Sequence, residues 1–399
     1  MKRRVVVTGL GALTPLGKEV NSSWTALIEG CSAIRRVERW DSSAMATQIA
    51  GQISDDWNIT EIMDIREARR MDHFVQYAHW ASNEAINDSR LLESSYDPNR
   101  IGIILGTGIG GIGTFEEQHR KFIEKGVRRV SPFFITMMIS DMAPGMLAIK
   151  YGFKGINYTV TSACASAGHA IGSAFDAIRY GRADVVLTGG SEAPIVPISF
   201  AGFCQNRAMT TRNELGAKAS SPFDKDRDGF VMGEGAGILV LEELEHAQAR
   251  DAKIYCEMAG YSASADAFHI TAPPDNGDGA YRVMRQCLED ADMMPEEVGY
   301  INAHGTSTPV GDISECKAIE RFFGKNCPLV SSTKGAMGHL LGAAAGVEAI
   351  IAIKSLIEGK VPPTLHLENV DEGCAGVNHN LKTVQMDLNA TMSNSFGFG

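Results

Sequence analysis

Short apolar runs alternate with longer helical stretches along most of this chain. The apolar runs are rich in valine, isoleucine and leucine, and their length is typical of buried strands. We predict strands at Val5–Thr8, Ile101–Leu105, Asp184–Leu187, Gly237–Leu241, Val298–Ala303 and Leu329–Ser331. We predict helices at Met142–Tyr151, Ala165–Tyr180, Gly279–Ala291, Ile313–Phe323 and Leu340–Glu358. This alternation indicates an α/β fold whose sheets are buried between helices.

Two segments separated by 170 residues share a sequence pattern. Ser162–Gly172 and Ser332–Gly342 carry serine, glycine, histidine and glycine at matching positions. Both segments follow a predicted strand and begin a helix of small residues. We interpret them as parts of two halves built on one plan, residues 1–254 and residues 255–399. Chance similarity between two helices rich in alanine and glycine is the alternative.

Composition and charge exclude several classes of protein. The chain has 399 residues, of which 44% are hydrophobic and 21% charged, as is ordinary for a globular protein of two domains or one duplicated fold. The net charge of −11 disfavours nucleic acid as a partner. No apolar run reaches the length of about 18 residues that a membrane span needs. The eight cysteines include no CxxC pair, which favours reduced thiols in the cytoplasm over disulfides or zinc.

Three residues are candidates for nucleophilic and acid–base chemistry. Cys164 lies between a predicted strand and a predicted helix, where a helix N-terminus favours the thiolate and its amides can bind an oxyanion. His304 and His339 lie in glycine-flanked junctions of the same kind, with Lys334 near the second. In the interpretation of two halves, Lys334 takes the position of Cys164. A buried inert cysteine and structural histidines are the alternatives.

Three further motif matches are interpreted as structural. Gly106–Gly111 fits the dinucleotide pattern after a strand, but no strand ending in an acidic residue follows at the required distance. Gly9–Thr14 lacks the third glycine of that pattern. Asp224–Gly229 begins like a calcium loop, but its glutamate, Glu234, comes one position early. We therefore predict neither a dinucleotide site nor a calcium site.

Two clusters of arginine interrupt the acidic character of the chain. Arg66, Arg69 and Arg70 have helical spacing and are predicted to share one helix face. Arg128 and Arg129 form a second cluster. Basic patches of this kind on an acidic protein suit an acidic partner. A solvated helix face is the alternative.

The segments around Cys164, around His304 and from Lys334 to His339 together resemble the β-ketoacyl-[acyl-carrier-protein] synthases, most closely the type II branch of bacterial fatty-acid synthesis. Further matching segments occur in the family's order at Val5–Gly11, Asp224–Gly237 and Asn394–Gly399. The resemblance implies an α/β, thiolase-like fold with two similar halves in five αβαβα layers, and a homodimer. The initiating branch of the family has asparagine in place of the second histidine, so His339 argues against that branch.

The resemblance also implies roles for individual residues. Cys164 would take an acyl chain from its carrier, and His304 and His339 would promote malonyl decarboxylation and stabilise the enolate. Lys334, paired with Glu348, would organise the site electrostatically. The other implied residues are Phe398 for gating and the oxyanion hole, Phe396 beside it, Thr306 and Thr308 for phosphopantetheine, Ile109 and Phe203 for the acyl pocket, and Arg66, Arg69, Arg70, Arg128, Arg129 and Arg207 for carrier docking.

The implied reaction is a decarboxylative Claisen condensation between an acyl-enzyme thioester and malonyl-acyl carrier protein in fatty-acid elongation. It needs no resident cofactor or metal, because phosphopantetheine arrives on the carrier. A ketosynthase subunit of a type II polyketide system is the first alternative. A catalytically silent partner subunit that sets chain length is disfavoured, because Cys164, His304 and His339 are all present. A nicotinamide-dependent oxidoreductase is disfavoured by the incomplete glycine motif.

The family pattern continues beyond the segment Asn394–Gly399 with a further glycine and a final buried strand. We therefore expect a chain ending at Gly399 to be less stable than one with about ten more residues. Equal melting temperatures for the two chains would contradict this expectation.

Overall fold

The computed structural model describes residues 2–397, so Phe398 lies outside the described residues. The strands β1 to β13 are, in chain order, Val5–Leu13, Ile34–Arg36, Ile49–Gly51, Ile101–Gly106, Asn157–Val160, Val185–Glu192, Gly235–Glu243, Cys256–Glu257, Val298–Asn302, Leu329–Ser331, Lys360–Val361, Val384–Gln385 and Ala390–Ser393. The helices α1 to α13 are Val20–Ile28, Ile65–Ala68, His73–Ser89, Ile112–Lys125, Phe134–Met138, Met142–Tyr151, Ser166–Arg179, Pro197–Gln205, Leu244–Ala249, Asp278–Ala291, Pro309–Phe323, Lys334–Met337 and Ala344–Glu358.

The larger sheet has six strands in the order β5-β4-β6-β7-β1-β8. β5, β4 and β6 are parallel, and β7, β1 and β8 continue the sheet in antiparallel pairs. Ile103 and Leu105 pack with the residues of α3 on one face, whereas Ile104 packs with the residues of α7 on the other. Because both faces are covered, the strands are continuous apolar runs rather than alternating ones.

The smaller sheet has three parallel strands in the order β10-β9-β13. Met284 of α10 and Ile319 of α11 pack with Ile301 and Val330 on one side of this sheet. On the other side α13 contacts both sheets and α7. Helices and sheets therefore alternate in five layers, so the predicted α/β arrangement is confirmed. The boundary between residues 254 and 255 remains a prediction.

Several predicted elements have other bounds in the structure: β1 and β6 each extend five residues further, and α11 begins at Pro309. The long helix predicted from Leu340 begins instead at Ala344, after a 3-10 turn. α2 has only four residues, so Arg69 is its C-cap and Arg70 lies beyond it. The chain must leave α2 there, because Asp72 caps the start of α3 by accepting the Phe74 N–H. The three arginines therefore do not share a helix face as predicted.

The glycine and aspartate motifs have packing explanations. A Cβ atom on Gly9 would lie 2.3 Å from the Ala85 carbonyl oxygen, so this glycine lets α3 approach β1. Asp224 accepts backbone N–H bonds from Glu368 and Asn369. Within residues 2–397, no group of three or more histidine, cysteine, aspartate or glutamate side chains is placed to hold a metal ion. No helix in that range combines the length and apolar character that a bilayer crossing requires.

Candidate active site

Cys164 lies in the turn between β5 and α7. The chain bends sharply at Ala163, which has a φ of 48°. The hydroxyl of Ser166 accepts the Ser162 N–H at 2.9 Å and donates to the Ala163 carbonyl at 2.7 Å, which closes the turn. The helix therefore begins two residues after the thiol. This geometry places Cys164 on the wall of a large cavity.

The Cys164 thiol is nearly buried, with 8% of the residue exposed. Burial raises the pKa of this thiol to about 12, and the charge of Lys334 is the main influence in the opposite direction. Nearby carboxylates of Glu192 and Glu348 raise the pKa further. A thiolate at rest, as predicted from the helix N-terminus, is therefore not favoured. The helix is instead placed to stabilise negative charge as it forms during reaction.

His304 and His339 line the same cavity of about 1290 Å³ as Cys164. Their ring centroids lie 5.2 Å apart, and the rings are nearly perpendicular at 86°. The His339 backbone is fixed by two bonds to the segment before β7, because its N–H donates to Val231 at 2.7 Å and its carbonyl accepts from Gly233 at 2.8 Å. The three candidate catalytic residues therefore converge from distant parts of the chain.

Both imidazoles are neutral at pH 7. Burial lowers the pKa of His304 and of His339 well below its usual value, and the positive charge of Lys334 lowers both further. A neutral imidazole carries one N–H donor and one acceptor. Nδ1 of His304 and both ring nitrogens of His339 have no hydrogen-bond partner among the described residues. Buried polar atoms of this kind are expected to bind a ligand or water.

Lys334 connects the two histidine loops through a buried ion pair. Its side chain is 2% exposed, and Nζ bonds to Glu348 of α13. The same Nζ donates to the His304 carbonyl oxygen at 2.5 Å. Burial raises the pKa of Glu348, whereas Lys334 lowers it. The predicted Lys334–Glu348 pair is thus present, and it holds the main chain of His304.

Glu315 is a site residue that sequence analysis missed. It accepts the His304 N–H at 2.9 Å and the Gly305 N–H at 2.8 Å. Asn394 donates to the same carboxylate at 3.3 Å. Burial raises the pKa of Glu315 to about 7. An acidic residue among Cys316 and the other apolar positions of α11 was the available signal, because an acid on a buried helix face needs a partner.

A row of five rings forms one wall of the cavity. Successive centroids from Phe203 through Phe230, His339 and His304 to Phe396 lie 5.7, 5.5, 5.2 and 5.7 Å apart. Each neighbouring pair meets edge to face, the arrangement that aromatic rings prefer. All five residues line the cavity. The row places Phe203, a predicted acyl-pocket residue, and Phe396, predicted to lie beside the gate residue, on either side of the histidine pair.

Some of the remaining predicted site residues line the cavity, and others do not. Thr306 and Thr308 line the cavity with their hydroxyl oxygens 3.0 Å apart, and Arg207 lines it as well. Ile109 is not among the residues that line it, and its side chain is partly exposed. Phe398 lies outside the described residues. The roles of these residues remain predictions.

The predicted docking arginines lie on the protein surface, and Arg207 lines the cavity as well. The guanidinium of Arg70 lies 4.8 Å from the ring centre of Phe133, four residues after Arg129, so the two clusters are close to one another. The exposed members are Arg66, Arg69, Arg70, Arg128, Arg129 and Arg207. Carrier docking by these residues remains a prediction.

The same architecture occurs in solved ketosynthases. A β-ketoacyl synthase from Burkholderia phymatum superposes with a TM-score of 0.92 at 34% identity, covering 100% of this chain and 97% of that one. A type II polyketide ketosynthase, solved in complex with its acyl-carrier protein and bound to the hexaketide, superposes with a TM-score of 0.91 at 32% identity and the same coverage. The five-layer arrangement is therefore the thiolase-like ketosynthase fold, as predicted.

Two family models account for most of the chain. The model for the β-ketoacyl synthase N-terminal domain matches residues 2–247, and that for the C-terminal domain matches residues 255–368. The chain belongs to the β-ketoacyl synthase family. It is 48% identical to 3-oxoacyl-[acyl-carrier-protein] synthase 2 of Synechocystis and 46% identical to the Staphylococcus aureus protein of that name, in both cases over 100% of this chain and 96% of the relative. The predicted family is confirmed, and the chain is a condensing enzyme of the acyltransferase type.

Proposed function

We propose that this chain elongates acyl chains in fatty-acid synthesis by condensing an acyl group on Cys164 with malonyl-acyl carrier protein. The observation that carries this proposal is the convergence of the Cys164 thiol with two neutral imidazoles in one cavity. The names of the most similar curated relatives support the fatty-acid pathway over the polyketide alternative.

The first half-reaction transfers the acyl chain to the enzyme. The Cys164 sulfur attacks the carbonyl of the acyl thioester, the carrier thiol leaves, and the thiol proton of Cys164 passes to that leaving thiol. Because burial raises the pKa of Cys164 to about 12, the proton must depart as the new bond forms. Backbone amides at the start of α7 are available to stabilise the oxyanion of this step.

The second half-reaction forms the carbon nucleophile. The malonyl carboxylate leaves as carbon dioxide, and its bonding electrons become an enolate at the thioester. We propose that His304 and His339 donate hydrogen bonds to the enolate oxygen, a role that suits neutral imidazoles. The enolate carbon then attacks the acyl carbonyl and displaces the Cys164 thiolate, which takes a proton from water to regenerate the thiol. No resident cofactor or metal is required in this proposal.

The substrates would arrive on an acyl carrier protein. Arg207 on the cavity wall and the exposed arginine clusters support an acidic carrier as the partner. One structural relative was solved with its acyl-carrier protein. Replacing Arg128 and Arg129 by glutamate should raise KM for acyl carriers about tenfold and leave the rate with a small pantetheine thioester unchanged. Equal losses with both substrates would contradict carrier docking at these residues.

We also propose that the chain forms a homodimer through β5. This strand is the edge of the larger sheet, and Tyr158 within it is 40% exposed. Ile149, in the adjacent α6, is 81% exposed. A bare strand edge beside apolar side chains is expected to be covered by another chain. Light scattering should give a dimer for the natural chain and a monomer for Ile149→Glu with Tyr158→Glu, and a monomeric natural chain would contradict the proposal.

Mass spectrometry tests the proposed reaction directly. Incubation with acyl carriers of increasing chain length should add the acyl mass to the peptide that contains Cys164. Addition of malonyl-acyl carrier protein should then release a 3-oxoacyl product two carbons longer. Cys204→Ser, which removes a thiol in α8, serves as the control and should behave like the natural chain. Absence of an adduct on Cys164 would reject the function, and repeated extension without reduction would favour polyketide synthesis.

A further inference from the structure

Glu192 is a fully buried carboxylate, at the end of β6, that the proposed reaction does not use. One oxygen, Oε2, accepts the N–H groups of Gly108 at 2.5 Å and Gly342 at 3.0 Å. The other oxygen, Oε1, accepts the Thr107 hydroxyl at 2.9 Å and the Ile109 N–H at 3.2 Å. Burial raises the pKa of Glu192, whereas these hydrogen bonds lower it. The donors are all of the kind that an ionised carboxylate requires.

The hydrogen-bond donors belong to two loops that meet around the carboxylate. One loop connects β4 with α4, and the other connects α12 with α13. A Cβ atom on Gly342 would lie 2.1 Å from the Gly108 nitrogen and 2.5 Å from Oε2 of Glu192, so the loops touch at this point. A Cβ atom on Gly108 would lie 3.3 Å from the Ala163 carbonyl oxygen. The first loop therefore contacts the turn of Cys164, and the second follows His339 by three residues.

The first loop has the form of an anion-binding loop. A glycine-rich connection from a strand to a helix commonly presents its amides to a phosphate. Here the internal carboxylate of Glu192 occupies the amides of Gly108 and Ile109. The glycine pattern at Gly106–Gly111 is thus explained by a structural anion within the protein. Glu192 anchors a loop that touches the nucleophile turn.

We propose that Glu192 is a positioning residue that fixes the Cys164 turn relative to the His339 loop, so that its loss impairs acyl transfer and chain-length selection more than malonyl decarboxylation. The proposal rests on the proposed condensing function. Its basis is the set of contacts that Glu192 makes to both loops. Ile109, one of the two predicted acyl-pocket residues, lies on the loop that Glu192 holds, beside the cavity rather than on its wall.

Glu192→Gln should affect the two loops differently, because the glutamine side chain has one acceptor oxygen where the carboxylate has two. If that oxygen takes the Oε2 position, it keeps the bonds from Gly108 and Gly342. The NH2 group then faces the Ile109 N–H, which loses its acceptor, whereas the Gly110 N–H keeps the Thr107 hydroxyl oxygen at 3.2 Å. The substitution should loosen the loop beside Cys164 and leave the loop after His339 in place.

The test compares the half-reactions in the full-length chain. Acyl transfer from acyl carriers is measured as kcat/KM for a short and a long chain, and decarboxylation is measured with malonyl-acyl carrier protein alone. For Glu192→Gln we expect about a tenfold loss in acyl transfer, as for removal of a buried acceptor. We expect the ratio of long to short chains to change at least about threefold and decarboxylation to stay within about twofold.

Two further variants complete the experiment. Thr107→Val removes the side-chain donor to Glu192. It should shift chain-length selection in the same direction as Glu192→Gln does. This variant therefore tests the positioning role of Glu192 if Glu192→Gln does not fold. Glu84→Gln is the control, because Glu84 also accepts two backbone N–H groups, from Ala12 and Val20, at a different place in the fold. Equal losses in both half-reactions, unchanged acyl transfer, or the same shift in the control would overturn the proposal. Failure of the natural chain to form acyl-Cys164 would instead reject the proposed function.

Discussion

The Cys164 junction and the His339 junction share a sequence plan but present their matching histidines differently. Each junction follows an edge strand of its sheet, β5 in the first and β10 in the second. In the first, α7 is continuous, so His169 lies within the helix and its Nδ1 is 2.7 Å from the Ser162 hydroxyl. In the second, α12 ends at Met337, and His339 lies in an extended segment facing the cavity.

The difference originates in a glycine and a neighbouring segment. Gly338 has φ 76° and ψ −178°, a conformation that is essentially confined to glycine. It turns the chain so that His339 pairs with the backbone at Val231 and Gly233. The helix cannot resume until Ala344. A repeated plan thus produces two different junctions, to which the proposed function assigns acyl holding and decarboxylation respectively.

Removal of the Cys164 thiol should have the largest effect on activity. It should also distinguish the role of the Cys164 junction from that of the His339 junction. Cys164→Ala is expected to abolish condensation, because the acyl chain is proposed to be held on this thiol. Cys164→Gln should also block condensation but retain malonyl decarboxylation, since His304 and His339 are unchanged. Product analysis and carbon dioxide release measure the two activities. Condensation by Cys164→Ala, or loss of both activities in Cys164→Gln, would refute the division of labour.

The matching histidines provide a direct comparison. His339→Ala should lower decarboxylation by about 10²–10³-fold, the usual cost of removing one donor to an oxyanion. His169→Ala should change it by less than about fivefold, because its partner is the Ser162 hydroxyl. Initial rates of carbon dioxide release measure both. Similar losses in the two variants would show that the junctions are not specialised as proposed.

The matching glycines test the cause of the difference. Gly338→Ala should destabilise the protein by about 1–3 kcal/mol, because alanine is strained at this φ and ψ. Its Cβ would also lie 2.9 Å from the Val231 carbonyl oxygen. Gly168→Ala is the control, because its Cβ would make an ordinary contact 3.4 Å from the Cβ of Ala345. Chemical denaturation should show a loss only for Gly338→Ala, and equal stabilities would remove the strain argument.

The pH dependence should be the smallest effect on activity. Since the pKa values of His304 and His339 are well below 6.5, both rings stay neutral as the pH falls from 8 to 6. Titration of the two rings should therefore change decarboxylation by less than about twofold over this range, and a larger change is expected only from Glu315, whose pKa is about 7. The unfolded chain protonates these histidines near pH 6.5 and the folded chain does not, so their contribution lowers stability as the pH falls below about 6.5. A rate profile with a pKa near 6.5 that persists in Glu315→Gln would contradict the neutral pair.

The local motifs identified the reactive residues, whereas the residues that hold them escaped sequence analysis. Cys164, His304 and Lys334 lie in junctions whose glycine and serine neighbours mark them out. Glu192 and Glu315 lie on a regular strand and a regular helix, where the available signal is an acidic residue among apolar positions, and this signal does not identify the contacting loop. Each acts on a loop elsewhere in the chain, as Glu192 does on Gly342, 150 residues away. Local sequence contains no record of such contacts.

The sequence by itself determined the strands, most helices, the family and the chemical groups available for reaction. These depend on residues within a few positions of one another, through periodicity, small-residue junctions and short motifs. Only the tertiary structure decided that His339 lies in an extended segment while His169 stays within α7, that burial favours a protonated Cys164 and neutral imidazoles, and that Glu192 links two loops. Those properties arise from burial and from contacts between distant segments, which exist only once the chain has folded.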